Sequence, residues 1–329
     1  MKKNKNIYYY LIFIVLIIFI FLLQFKTVEN YENVKCIQRT PKSANNLLKP
    51  ILTRLIKYAE FKDKCTAPFL IINSFNEQPT KDIPFVYYDG ESSFTNIRGY
   101  NDAINNPNCI GCFVTNLVNK NDKTYYLPLF LEFPDKDILS NPCPIVRKYQ
   151  NINRKKLAVY VAHHSPPHRE KMFNILRSHD ITVESLGKAN KTHDVELPIG
   201  YNNLPQVYKD YKFVFAMENK NDYGYITEKI ANAYIAGAIP IYWGTDYVKE
   251  IFNIDSFVYV NDYSSFEECA KDIIAISNDT MRYEKMKNAR IFNPNSKYEF
   301  WRYYDSNPTN YIINTVNQLK QRLEKLKKI

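Results

Sequence analysis

Strands alternating with helices along the second half of the chain predict a parallel α/β sheet. Two observations carry this. Short apolar runs such as "KLAVYVAH", "KFVFAMEN" and "IPIYWG" are too brief for helices. Between them lie segments with helical spacing, "PPHREKMFNILRSHD" and "ITEKIANAYIAGA". The composition is globular, with 45% hydrophobic and 24% charged residues, and excludes a disordered chain.

Residues 7–25 contain no charge and are long enough to span a bilayer as a helix. Lys2, Lys3 and Lys5 precede them, so the positive-inside rule places residues 1–6 in the cytoplasm and the bulk of the chain across the membrane. The following "KTVENYENV" offers no small-residue cleavage site, which favours an uncleaved type II signal anchor over a signal peptide. Residues 26–45 read as a polar stem. A first domain follows over 46–150, with "LLKPILTRLIKYAEF" as a helix and "APFLIINSF" and "IPFVYYDG" as buried strands. The proline-broken, basic segment 133–156 reads as a linker, with a second domain over 151–310. Residues 311–329 form an amphipathic helix, apolar at Ile312, Ile313, Val316, Leu319, Leu323 and Leu326, expected to pack back on the body.

The net charge of +10 suits an anionic partner, but no Lys/Arg run is long enough to select nucleic acid. Cys109-Ile-Gly-Cys112 lacks the second ligand pair of a zinc site. Pro107 and the flanking asparagines place it in a loop, as a structural disulfide or as free thiols. Asp135-Lys-Asp137 matches a D-x-D but reads as a solvated loop, so no metal site is expected. His163 and His164 read as structural, and Tyr242 and Trp243 as core or pocket wall.

In open α/β sheets ligands sit beyond the C-terminal strand ends. Two such ends stand out: His163 onward, leading to Arg169, and Glu218 to Tyr225, leading to Glu228 and Lys229. Thr227 is a plausible N-cap, which puts Lys229 in the first helical turn. A lysine there opposes the helix dipole. It is tolerated if it faces an anion bound at the helix N-terminus, and Arg169 repeats the arrangement, so the two cations would suit a diphosphate. A surface lysine pointing away fits the pattern equally.

The stretch "YKFVFAMENKNDYGYITEKIANAYIAGAIPIYWGT" resembles the donor-binding signature of the α1,3/α1,4-fucosyltransferases, glycosyltransferase family 10. The likeness is detailed from about Val161 to Val260 and weaker in the first half. It implies a GT-B fold, two Rossmann-like domains facing a cleft. It also implies inverting transfer of L-fucose from GDP-fucose to a glycan hydroxyl, O3 of N-acetylglucosamine, in protein glycosylation. By the same resemblance Arg169 and Lys229 meet the diphosphate, and Asn219, Tyr225 and Glu228 line the nucleotide-sugar. Glu91, in "FVYYDGES", becomes the general base, with Asp89 as its substitute. No cofactor beyond the donor is implied, and a metal is dispensable. Type II topology fits a Golgi-like secretory membrane with the catalytic domain lumenal. A transferase of this scaffold using another nucleotide-sugar, or a non-catalytic glycan-binding relative, are the competing readings.

The charge pattern around residues 7–25 predicts that protease added to sealed microsomes leaves the C-terminal domain intact. Full digestion of that domain would reverse the orientation.

Overall fold

The structure, a computed structural model, describes residues 37–39, 69–73, 84–90, 92, 97–117, 121–131, 145–179, 181–198, 203–293 and 310–326. The apolar run 7–25, the stem, Glu91, Asp135 and Asp137 lie outside them. Among the described residues no helix is long and apolar enough to cross a membrane.

The first sheet comprises β1 (Ile37–Arg39), β2 (Phe69–Asn73), β3 (Phe85–Asp89), β4 (Cys109–Val114) and β5 (Thr124–Tyr126). All pairs are parallel and the spatial order follows the chain. Helix α1 (Ile97–Asn105) packs beside β3 and β4. The expected strands "APFLIINSF" and "IPFVYYDG" appear as β2 and β3. The Cys109–Cys112 segment is strand, not loop. Pro107 and the asparagines belong to the turn before it, closed by Cys109 N–H donating to the Asn106 carbonyl at 3.1 Å. Phe85 pairs with Cys109 and Val86 with Gly111, so Ile110 is an inserted bulge residue. In a regular strand residues three apart face opposite sides. The extra residue brings both cysteines to one face, as buried free thiols with their sulfurs 3.5 Å apart.

The second sheet comprises β6 (Lys156–Tyr160), β7 (Val183–Ser185), β8 (Tyr211–Met217), β9 (Ile239–Trp243) and β10 (Val258–Tyr259). Its parallel order is β7-β6-β8-β9-β10. The chain steps outward from β6 to β7, then returns to place β8 on the other side. That reversal opens a crevice at the C-terminal ends of β6 and β8. Among the described strands of the first sheet the order has no such reversal.

Helices α2 (Pro167–Ser178), α3 (Leu204–Tyr208), α4 (Glu228–Ile235), α5 (Val248–Ile251), α6 (Phe266–Asn278) and α7 (Thr280–Asn288) surround this sheet. Proline opens α2, where its missing N–H costs nothing. The apolar residues Met172, Phe173 and Leu176 of α2 pack with Ile273 and Ile276 of α6 on one face. Helix α4 is buried almost all round. Ala233 faces the second sheet, while Ile230 and Tyr234 join a core shared with Tyr126 of the first and with Phe130 in the turn after it.

The C-terminal helix, α8 (Asn310–Leu326), does pack on the body, and specifically on the first sheet. Leu319 and Leu323 enter the shared core, and Arg322 Nη1 donates to the Ile110 carbonyl at 3.3 Å.

The loop after β8 touches the first sheet directly. Leu117 N–H donates to the Tyr223 carbonyl, and Tyr126 Oη to the Gly224 carbonyl, each at 2.7 Å. Gly224 has φ +85°, and an added Cβ would lie 2.9 Å from Leu117 Cγ. Gly224→Ala should therefore lower stability by about 1–2 kcal/mol from the left-handed backbone alone. A drop in the urea midpoint without a change in slope would show it.

Candidate functional site

The site grows from the two residues that follow β8. Glu218 is wholly buried, and Asn219, next in the chain, is exposed. Burial removes water from the Glu218 carboxylate, so neighbouring donors must replace it. Thr227 N–H donates to Oε1 at 2.7 Å, and Thr227 Oγ1 donates to Oε2 at 2.8 Å. Lys229 Nζ completes the set at 3.2 Å from Oε2. Thr227 is also the N-cap of α4, with extended backbone and its hydroxyl 3.5 Å from Lys229 N. One threonine thus caps the helix and binds the carboxylate.

Lys229 is the residue whose position the sequence left open, and its partner is an acid that sequence reasoning did not select. Nζ lies 3.2 Å from Glu218, 3.6 Å from Glu228 and 2.9 Å from Thr227 Oγ1. Desolvation opposes the charge. The two carboxylates outweigh it and hold the lysine above its ordinary value. Burial pushes the Glu218 carboxyl up, and the ammonium and the Thr227 bonds pull it back. The signal for Glu218 was available: a buried strand, "KFVFAM", followed directly by a carboxylate.

Arg169, in the first turn of α2, is 3% exposed and spans the crevice. Nε donates to the Met217 carbonyl at 2.9 Å, Nη2 to Asn219 Oδ1 at 2.6 Å and Nη1 to the His164 carbonyl at 3.3 Å. It therefore ties the end of β8 to the segment after β6. The structure brings together Arg169, Asn219, Glu228 and Lys229. Tyr225 is buried on the same loop, its N–H bonded to the Asp222 carbonyl at 2.9 Å. Glu91 lies outside the described residues. The strand before it, β3, ends at Asp89, which pairs with Val114 at the sheet end whose next loop meets Tyr223.

His163 and His164 are exposed, and the His164 backbone carbonyl serves as a ligand for Arg169. His168 was not singled out in the sequence. Its ring stacks on Trp243 with centroids 3.7 Å apart, and its Nε2 lies 2.8 Å from the Glu218 carbonyl, which makes that nitrogen the donor. Tyr242 is buried core, as expected. Gly244 keeps this wall close: a Cβ there would lie 2.8 Å from Tyr242 Oη and 3.0 Å from Glu218 Cγ. Among the described residues no group of three or more His, Cys, Asp or Glu could hold a metal ion.

The model for glycosyltransferase family 10 (fucosyltransferase), C-terminal region, matches residues 151–328, more than half of the chain. The chain belongs to glycosyltransferase family 10. An alpha-(1,3)-fucosyltransferase of Helicobacter pylori is 36% identical over 131 residues, 39% of this chain and 26% of that protein. A bovine 4-galactosyl-N-acetylglucosaminide 3-alpha-L-fucosyltransferase 9 is 31% identical over 142 residues, 42% of this chain and 38% of that protein. The matched chain thus spans well under half of either relative. A crystal structure of an alpha1,3-fucosyltransferase with GDP-fucose superposes with a TM-score of 0.58 at 19% identity. The match covers 89% of this chain and 90% of that one, and it shows a GT-B-like fold built on parallel sheets.

His168 supplies a pH prediction. Burial, with a smaller contribution from Arg169, lowers its pKa below the usual histidine value, against the Glu218 carbonyl bond that raises it. A depressed folded pKa stabilises the neutral form. That stability is present above the unfolded value of about 6.5 and is lost as pH falls through the folded one. Unfolding free energy should therefore decline on acidification below neutrality, and less steeply in His168→Gln. Equal pH slopes for the two proteins would refute the assignment.

Proposed function

We propose that this family 10 protein is an inverting fucosyltransferase, moving L-fucose from GDP-fucose to a hydroxyl of a glycan acceptor, O3 of N-acetylglucosamine. One observation carries the reading beyond family membership. Two cations, Arg169 and Lys229, rise from the first turns of different helices and are both tethered to the Glu218–Asn219 dipeptide at the strand reversal.

The chemistry follows from that placement. The acceptor oxygen attacks the anomeric carbon as its proton passes to a carboxylate, assigned to Glu91. The bond from that carbon to the diphosphate oxygen breaks, and the charge left on GDP meets Arg169 and Lys229. Lys229 keeps 23% of its side chain exposed, so Nζ can turn from Glu218 toward a phosphate oxygen. Asn219, Tyr225 and Glu228 line the nucleotide-sugar. Because side chains supply the positive charge, the reaction needs no metal. Residues 7–25 serve as a type II anchor in a Golgi-like secretory membrane, with the catalytic part lumenal.

A form lacking residues 1–30 should hydrolyse or transfer from GDP-fucose in preference to GDP-mannose or UDP-sugars, with EDTA present. Preference for another donor would support a relative with altered specificity, and no turnover a glycan-binding one. Lys229→Ala and Arg169→Ala should each cut turnover by about 100-fold or more. Glu91→Gln should cut it by roughly 100- to 10,000-fold while GDP affinity stays near wild type. If Glu91→Gln keeps its activity, the base lies elsewhere, with Asp89 the first residue to test.

A further inference from the structure

Glu218 carries more charge than the fold requires. A carboxylate with no exposed surface costs desolvation free energy, and an uncharged side chain could fill the same space at lower cost. Its three bonds all run to the turn that opens α4. They fix both the carboxylate and the direction in which Nζ can approach.

The groups around Lys229 show what this acid does. Glu228, on the same helix, lies 3.6 Å from Nζ. Arg169, on α2, opposes the ammonium. Tyr242, on β9, faces Glu218, and Tyr208, on α3, faces Glu228 and Arg169. The N-terminal end of α4 adds a further positive potential. Without Glu218 the lysine would be desolvated beside a guanidinium and a helix N-terminus, with Glu228 alone favouring its charge.

We propose that Glu218 is a positioning residue for the transfer reaction: through its ion pair and its two Thr227 bonds it holds Lys229 as an ammonium aimed at the crevice between β6 and β8. This rests on the reading that Lys229 meets the donor diphosphate. When the donor binds, Nζ exchanges part of its contact with Oε2 for a phosphate oxygen. Glu218 stays in place, held by Thr227. The lysine is thereby charged before the diphosphate arrives, and the empty site does not confront two unbalanced cations.

The test separates position from scaffold. Glu218→Gln keeps the shape and can still accept from Thr227, but it removes the charge. In protein labelled by reductive 13C-methylation, the Lys229 signal is assigned by its loss in Lys229→Arg. Its titration should move to lower pH in Glu218→Gln. The alkaline limb of the pH–rate profile with GDP-fucose should move down with it. Glu218→Gln combined with Lys229→Arg should regain the alkaline limb, because a guanidinium stays charged. Should Glu218→Gln not fold, Glu218→Asp, which retracts the carboxylate by one methylene, should shift the Lys229 titration in the same direction. An unchanged titration, or a loss of turnover equal at every pH, overturns the proposal. A shifted titration when the unsubstituted protein itself turns over no GDP-fucose upholds the ion-pair role and overturns the donor reading alone.

Discussion

The buried carboxylate of Glu218 is the constraint around which the site is arranged. A charge with no water must be met by donors at fixed positions, and here all of them come from the turn that opens α4. Thr227 ties the start of α4, and Lys229 ties the first turn above it. The Glu218 carbonyl holds His168 of α2, and through that ring the face of Trp243 at the end of β9. Asn219 then holds Arg169. Two consecutive residues at one strand end therefore set the geometry of two helices and a neighbouring strand.

Strand order explains why this happens at β8. The strand order reverses between β6 and β8, so the connections from these strands leave on opposite sides. Such a reversal is where open α/β sheets leave a crevice at their strand ends. Arg169 bridges the two strand ends, with bonds to the Met217 and His164 carbonyls and to Asn219.

The first sheet contributes rigidity to the same loop. Helix α4 is enclosed by both sheets, and the loop before it is pinned by Leu117 and Tyr126. An aromatic series runs across the junction: Tyr126 meets Tyr247 edge-on at 5.8 Å, and Tyr247 meets Tyr223 at 5.1 Å. Such edge-to-face contacts favour one relative orientation of the rings. The loop between β8 and α4 is thus a shared element of the two sheets, and α8 strengthens the join by packing on the first sheet.

The local pattern of the sequence was sufficient for much of this. Alternating apolar runs and amphipathic segments marked β6, β8 and β9 and the helices α2 and α4, because each element shows its buried face through its own period. Thr227 as N-cap, the placement of Lys229 in the first turn, and the motif that marks the family all lie within 35 contiguous residues. The tertiary structure alone decided the rest. Ile110 became a bulge because β3 and β4 pair out of step there, which moved Cys109 and Cys112 to one face of a strand that Pro107 and its flanking asparagines had disguised as a loop. Trp243 met His168 and α8 met the first sheet across long stretches of chain, where no local period can report a partner. Lys229 itself is the clearest case. Its sequence neighbours established that a cation stands at a helix start. Which anion balances it depended on where β8 ends relative to α4, a distance set only when the sheet and the helix pack.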